Sequence, residues 1–295
     1  MTSETDVKLP DGRSLHVYDT GTATHTATAT RTATATANAG SNLVVLYHHG
    51  TPNIGEPPAP LLPLSAELGI RWVSYDRPGY GGSTPHLGRS VGSAAADAAA
   101  VADALGLDRF AVMGHSGGSP HALACAALLP DRVRAVLAVS TLAPYPADGL
   151  EWFAGMAAAG SAELRAALRG RAVLEALLSS TPFDPEIFTP ADHAALSGDW
   201  SWFNRVAGKG MDNGLDPMVD DDRAYIKPWG FDPAAIGAPT LLLHGAEDRI
   251  APVAHAQWVN DRCAAAELWI RPDDGHISIM RSAPDALRWL LERAA

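Results

Sequence analysis

The sequence predicts a mostly parallel, doubly wound α/β sheet of eight strands, interrupted after the sixth strand by a helical cap. Three observations predict it. Short apolar runs alternate with longer helical patterns over most of the 295 residues, the alternation fails between about 143 and 235, and it resumes from there to the end.

The first two strands form a hairpin within 7–19, because Leu9-Pro10-Asp11-Gly12-Arg13 is a turn signal between two short apolar segments. Residues 22–37 are almost pure Thr/Ala alternation, broken by His25 and Arg31. Alanine buries little surface and the repeat specifies no register, so this stretch reads as a low-complexity loop insertion. Six further strands are expected at 43–47, 72–76, 110–114, 135–140, 240–244 and 267–270. Before the third of these, Ala94, Ala98, Val101 and Leu105 recur at three- and four-residue steps and give a helix one buried stripe, which Gly106 stops. A closing helix follows Ser282, a candidate cap, with Leu287, Leu290 and Leu291 on its inner face.

The segment 143–235 carries amphipathic patches near 151–178, several Pro breaks and a polar stretch around 212–223. Lying between two strands of one sheet, it reads as a cap rather than an independent domain. The core is then 1–142 together with 236–295. Of the cap aromatics, Trp152, Trp200 and Trp202 are candidate substrate-binding residues; the competing reading is that they hold the cap together.

Composition narrows the partners. An apolar content of 47% fills a sizeable core, and a formal net charge of −11 without any dense Lys/Arg block argues against nucleic acid or an anionic membrane. A small-molecule substrate is expected instead. Cys125 and Cys263 sit far apart in apolar surroundings and read as reduced core thiols. The first residues lack a basic start and an apolar run, so a cytoplasmic location is expected.

The chemistry concentrates in Gly114-His115-Ser116-Gly117-Gly118, a G-x-S-x-G pentapeptide between an apparent strand and an apparent helix. A serine in a strained turn leaves no room for neighbouring Cβ atoms, which is why glycines flank it. A serine hydroxyl is a poor nucleophile at neutral pH and needs a base, oriented by a third group. Asp248 and His276 follow the next two strands, in the order Ser, Asp, His. Glu247 adjoins Asp248 and remains an alternative acid; Asp273 and Asp274 precede His276 too closely to reach the far side of its ring.

On these motifs the chain resembles the α/β-hydrolases, and the resemblance covers nearly everything outside the Thr/Ala insertion. His49-Gly50-Thr51-Pro52 resembles the family's His-Gly-x-Pro turn, which implies an oxyanion hole formed by the backbone N–H groups of Thr51 and Gly117. Asp76-Arg77-Pro78-Gly79-Tyr80-Gly81-Gly82-Ser83 resembles a family turn of structural role. The expected reaction is acyl transfer: Ser116 attacks, His276 takes its proton, and Asp248 stabilises the imidazolium.

Other polar residues have plainer readings. His48 and His49 point to opposite faces of a strand and are poorly placed to share a metal, His115 is expected to pack, and His244 to be held at a strand end. Asp220-Asp221-Asp222 lacks the spacing of a calcium loop and reads as a solvated cap loop. The chemistry calls for no cofactor and no metal. Hydrolysis of a small or medium, partly apolar carboxylic ester ranks first. A proline iminopeptidase-like activity, C–C bond hydrolysis and perhydrolysis use the same residues, and a ligand-binding receptor with vestigial activity is the alternative outside catalysis.

Overall fold

The computed structural model describes residues 2–21 and 43–295; the Thr/Ala insertion expected at 22–37 lies outside the described residues. The strands are β1 (Ser3–Lys8), β2 (Ser14–Asp19), β3 (Leu43–His48), β4 (Ile70–Tyr75), β5 (Phe110–His115), β6 (Val133–Val139), β7 (Thr240–Gly245) and β8 (Ala266–Arg271). They form one 8-stranded sheet in the order β1-β2-β4-β3-β5-β6-β7-β8. The hairpin β1–β2 is antiparallel, with Val7 opposite Leu15, and β2 also runs antiparallel to β4. Every later pairing is parallel.

The α-helices are α1 (Leu62–Leu68), α2 (Ala94–Ala104), α3 (Gly118–Leu128), α4 (Ala158–Arg169), α5 (Arg171–Ser180), α6 (Pro190–Ser197), α7 (Trp202–Gly210), α8 (Asp216–Tyr225), α9 (Val253–Asn260) and α10 (Ala283–Arg293). Strand periodicity divides the core into two layers. In β5, Phe110 and Val112 face one layer with Ala98 and Val101 of α2 and Leu123 of α3, while Ala111 and Met113 face the other with Leu287 and Leu290 of α10. The central strands are therefore apolar on both faces, as a sheet covered on both sides requires. Each fully buried side chain of this size contributes roughly 1.5–3 kcal/mol. Ser282 precedes α10 but makes no side-chain cap; its hydroxyl accepts from Arg271 Nε at 3.0 Å.

Between β6 and β7 the chain runs through α4 to α8. The polar stretch around 212–223 corrects one expectation: Asp220, Asp221 and Asp222 lie in α8 and are buried rather than in a solvated loop. The reason is the guanidinium groups of Arg77, Arg89 and Arg171, which meet Asp220 and Asp221. Cys125 and Cys263 are free and buried. Among the described residues no helix is long and apolar enough to cross a membrane.

Parallel pairing aligns the carboxyl ends of β3, β5, β7 and β8 along one sheet edge, with His48 beside Gly114 and Gly245 beside Arg271. The turns that leave this edge carry Thr51, Ser116, Asp248 and His276. Loops at such an edge are where open α/β sheets hold their ligands.

Candidate active site

Ser116 occupies the turn between β5 and α3 with φ at +54°, a left-handed conformation that costs a non-glycine residue about 1–3 kcal/mol. The turn is held from both sides. Ser116 N donates to Val139 O at 2.9 Å, Ser119 N donates to Ser116 O at 2.9 Å, and the Ser119 hydroxyl reaches Gly114 O at 2.9 Å. Both flanking glycines are dictated by contact: a Cβ on Gly114 would collide with the backbone of Gly118 and Ser119, and one on Gly118 with the His48 carbonyl.

His276 lies in the loop between β8 and α10. Its Nε2 is 2.8 Å from Ser116 Oγ, and its Nδ1 is 2.8 Å from Asp248 Oδ2. With a neutral imidazole, Nδ1–H donates to Asp248 and Nε2 accepts the serine proton. Asp248 lies in the turn after β7, fully buried, and its Oδ1 accepts from Ile250 N and Ala251 N, each at 2.9 Å. Glu247 is exposed beside it.

Burial opposes charge on both groups, and their mutual attraction outweighs it. Asp248 is held down to about 2 by the adjacent His276 and by its hydrogen bonds, despite desolvation. His276 is desolvated too, yet Asp248 and, more weakly, Asp192 hold its imidazole above the ordinary 6.5. The neighbouring histidines behave differently. His115 is pushed down to about 3 by burial and by His276, so its Nε2–H donates to His276 O at 3.0 Å as a neutral ring. His244, also depressed by burial, donates to Ala251 O at 2.6 Å.

The turn after β3 packs against the serine: a Cβ on Gly50 would stand 3.4 Å from Ser116 Cβ. Among the described residues, neither the Thr51 amide nor the Gly117 amide donates to an acceptor of the protein. Two free donors thus flank a serine already joined to an imidazole. His48 and His49 have other partners: His48 Nε2 is 3.4 Å from Cys125 Sγ, and His49 Nε2 accepts from Arg77 N at 2.9 Å.

Residues 44–283 match the family model for the alpha/beta hydrolase fold. The chain belongs to that family. The hydrolase is 28% identical to a non-heme haloperoxidase of Rhodococcus erythropolis over 228 residues, 74% of this chain and 79% of the relative. It is 29% identical over 221 residues to a non-heme chloroperoxidase of Streptomyces lividans, with 72% and 77% covered. Among solved structures, a bromoperoxidase from Bacillus anthracis superposes with a TM-score of 0.72 at 17% identity, covering 98% of this chain and 100% of that one. An esterase from Exiguobacterium antarcticum gives 0.70 at 19% identity with the same coverage. These two superpositions establish the shared fold.

The hydrolase has site residues that sequence reasoning missed. Asp192 of α6 accepts from the backbone amides of His276 at 3.2 Å and of Ile277 and Ser278 at 2.8 Å each, and from the Ser278 hydroxyl at 2.9 Å. The same carboxylate closes a capping box with Thr189. That spacing, Thr189 then Asp192, was a readable signal for a helix start, but not for a grip on the His276 loop. The three tryptophans are all buried. Trp202 donates its indole N–H to Glu56 at 3.0 Å, Trp152 donates to Ala143 O at 3.0 Å, and Trp200 packs on Phe203. Trp152 also lines a surface groove of about 560 Å³ with Tyr145 and Phe153, whose lining excludes Ser116 and His276. Phe203, another of the cap aromatics, lies 4.9 Å from the His115 ring.

Proposed function

We propose that this hydrolase cleaves a small or medium, partly apolar carboxylic ester through an acyl-enzyme on Ser116, with His276 as base and Asp248 orienting it. The observation that carries the reading is the continuous hydrogen-bonded chain from Ser116 Oγ through His276 to Asp248 Oδ2, 2.8 Å at each link. Ser116 Oγ bonds to the ester carbonyl carbon as its proton passes to His276 Nε2. The oxyanion so formed takes hydrogen bonds from the Thr51 and Gly117 amides, each contributing about 3–4 kcal/mol to the charged intermediate. Collapse breaks the bond to the alcohol, which leaves with the proton from His276. Water then attacks the acyl-enzyme, giving a proton to His276; the acyl–Oγ bond breaks, the proton passes to Ser116 Oγ, and the carboxylic acid departs. Asp248, held down to about 2, stays ionised throughout and stabilises the imidazolium.

In this reading the helices between β6 and β7 form a cap over the carboxyl edge, with 1–142 and 236–295 as the core. The aromatic content of that segment supports a partly apolar substrate, and Trp200 and Trp202, packed on the Phe203 that reaches His115, are assigned to shaping its pocket, whereas Trp152 lines the separate groove.

A second reading is favoured by the relatives, which are named a haloperoxidase and a chloroperoxidase. Hydrogen peroxide in place of water would convert the acyl-enzyme to a peroxycarboxylic acid and free Ser116, and that peracid would oxidise a halide to hypohalous acid while returning the carboxylic acid. Both readings share the first half-reaction.

The test is intact-mass labelling with a fluorophosphonate, wild type against Ser116→Ala, followed by rates on a series of acyl esters and matched proline arylamides, and bromide oxidation with acetate and peroxide. One adduct, absent from Ser116→Ala, together with ester turnover is expected. Absence of an adduct in folded wild type would sink the reading in favour of a receptor, and arylamide rates above ester rates would replace it with an iminopeptidase.

A further inference from the structure

Helix α8 enters the site through two residues one turn apart, Asp221 and Tyr225, which share a helix face. Asp221 is fully buried and collects five donors: Arg77 Nη2 at 2.6 Å, Arg77 Nε at 3.2 Å, Arg89 Nη1 at 2.5 Å, Tyr80 OH at 2.8 Å and Thr51 Oγ1 at 2.6 Å. The last of these ties it to the turn after β3. Tyr225 OH is 2.8 Å from Thr51 Oγ1 and donates to Gly117 O at 3.1 Å. The two residues whose amides lack acceptors are thus both held by one helix.

At Thr51 the hold extends to the peptide plane that carries the N–H, and at Gly117 to the peptide that follows it. Gly50 O shares its peptide with the Thr51 N–H, and the planar trans peptide points the two in opposite directions. Arg77 Nη2 at 3.3 Å, His49 Nδ1 at 2.8 Å and Asn53 N at 2.9 Å all converge on Gly50 O, fixing where that N–H points. Arg77 is itself clamped by Asp221. On the other side, Gly117 has no room for a side chain, because a Cβ would collide with Tyr225 OH. Helix α8 is also docked away from the site: Asn213 Nδ2, just before it, donates to Gly79 O at 2.8 Å and Gly81 O at 2.9 Å.

We infer that Asp221 and Tyr225 are positioning residues for the oxyanion hole, setting the Thr51 and Gly117 amides through side chains that do not touch substrate. This rests on the acyl-transfer reading above and deepens it: α8 is a fixed wall of the reaction centre. Oxyanion donors act through exact placement, so a loosened donor loses part of its effect while substrate binding is spared.

The test uses Tyr225→Phe, Thr51→Val and Thr51→Ser in the full chain, each checked for an unchanged melting profile. The rate constant for phosphonylation of Ser116 by a fluorophosphonate is measured alongside ester kcat and KM. Tyr225→Phe and Thr51→Val are expected to lower both the phosphonylation rate and kcat by about tenfold or more, with KM within about twofold. Thr51→Ser keeps the hydroxyl and is expected to stand well above Thr51→Val in both rates, and the acid limb of the pH profile stays in place in all three. Wild-type phosphonylation rates in folded Tyr225→Phe and Thr51→Val would overturn the inference. A wild-type chain that takes no label at Ser116 overturns the acyl-transfer reading itself, and this inference with it.

Discussion

Two carboxylates of the inserted helices grip the site from opposite sides, and they do so by different physics. Asp192 of α6 holds the base side through the amides of Thr189, His276, Ile277 and Ser278 and the Ser278 hydroxyl. Asp221 of α8 holds the oxyanion side through two guanidinium groups and two hydroxyls. Burial works against both charges. At Asp192 the amide bonds outweigh it and bring the carboxyl below its ordinary value; at Asp221 the charges of Arg77 and Arg89 bring it far lower. A carboxylate bound by amides shapes one loop, whereas one bound by cations ties α8 to the turns after both β3 and β4. The oxyanion side is therefore expected to be the stiffer and the more sensitive to charge.

The largest effect that could break this comparison is on stability. Asp221→Asn leaves Arg77 and Arg89 buried without their counter-charge, and a loss of about 3–5 kcal/mol is expected in chemical denaturation. Asp192→Asn turns an NH2 group toward backbone N–H donors and leaves some of them unmatched, for a loss of about 1–3 kcal/mol. A smaller loss at Asp221 than at Asp192 would mean that the arginines find water or other acceptors, and that the oxyanion side is not the stiffer one.

The same contrast explains what was legible in the sequence. The sheet was readable because its strands are short, doubly apolar and separated by helical periods; the six later strands lie within about two residues of their expected places, whereas β1 begins at Ser3, four residues before the expected hairpin. Ser116 announced itself through flanking glycines that the turn demands, and Asp248 and His276 through their positions after two recognisable strands. The positioning groups were not readable. Asp221 sits in Asp220-Asp221-Asp222, a run whose polarity looks like solvent exposure until Arg77 and Arg89, more than a hundred residues earlier, are brought onto it. Asp192 carries a helix-start signal that hides its second role. Tryptophans drew attention by size, yet it is the Phe203 ring, packed in the same cluster as Trp200 and Trp202, that lies 4.9 Å from His115 beside the nucleophile. Local chemistry can be read along the chain; tertiary ion pairs between distant segments cannot.

A smaller effect sharpens the comparison through pH. The proposed reaction needs His276 neutral, and since Asp248 and Asp192 outweigh desolvation to hold its imidazole above 6.5, kcat/KM is expected to fall as pH drops through a midpoint above that value. Asp192→Asn removes one of the two charges that raise it, so the acid limb moves to lower pH. Tyr225→Phe on the oxyanion side leaves the limb where it is. A pH–rate series on one ester in all three proteins checks this, and equal shifts in both variants would erase the distinction between the sides.

The smallest effect separates Asp221 from its neighbour. Asp222 is buried, with one carboxyl oxygen that has no hydrogen-bond partner among the described residues, and its pKa is raised well above 3.8 by desolvation and by the nearby Glu163 and Asp221. Glu163 is raised as well, chiefly by burial. Two carboxyls in such surroundings retain a proton between them in the folded chain that the unfolded chain releases near 3.8. Their contribution to stability is therefore most favourable below that value and is lost as pH rises toward the folded-state pKa. Asn at 222 is neutral at every pH and can donate to Glu163. Asp222→Asn is expected to match wild type in melting temperature near pH 4 and to exceed it at pH 7 to 8 by ~2–4 °C, about 1 kcal/mol. A variant that melts lower than wild type at neutral pH would place Asp222 with Asp221, as a charge the arginines require.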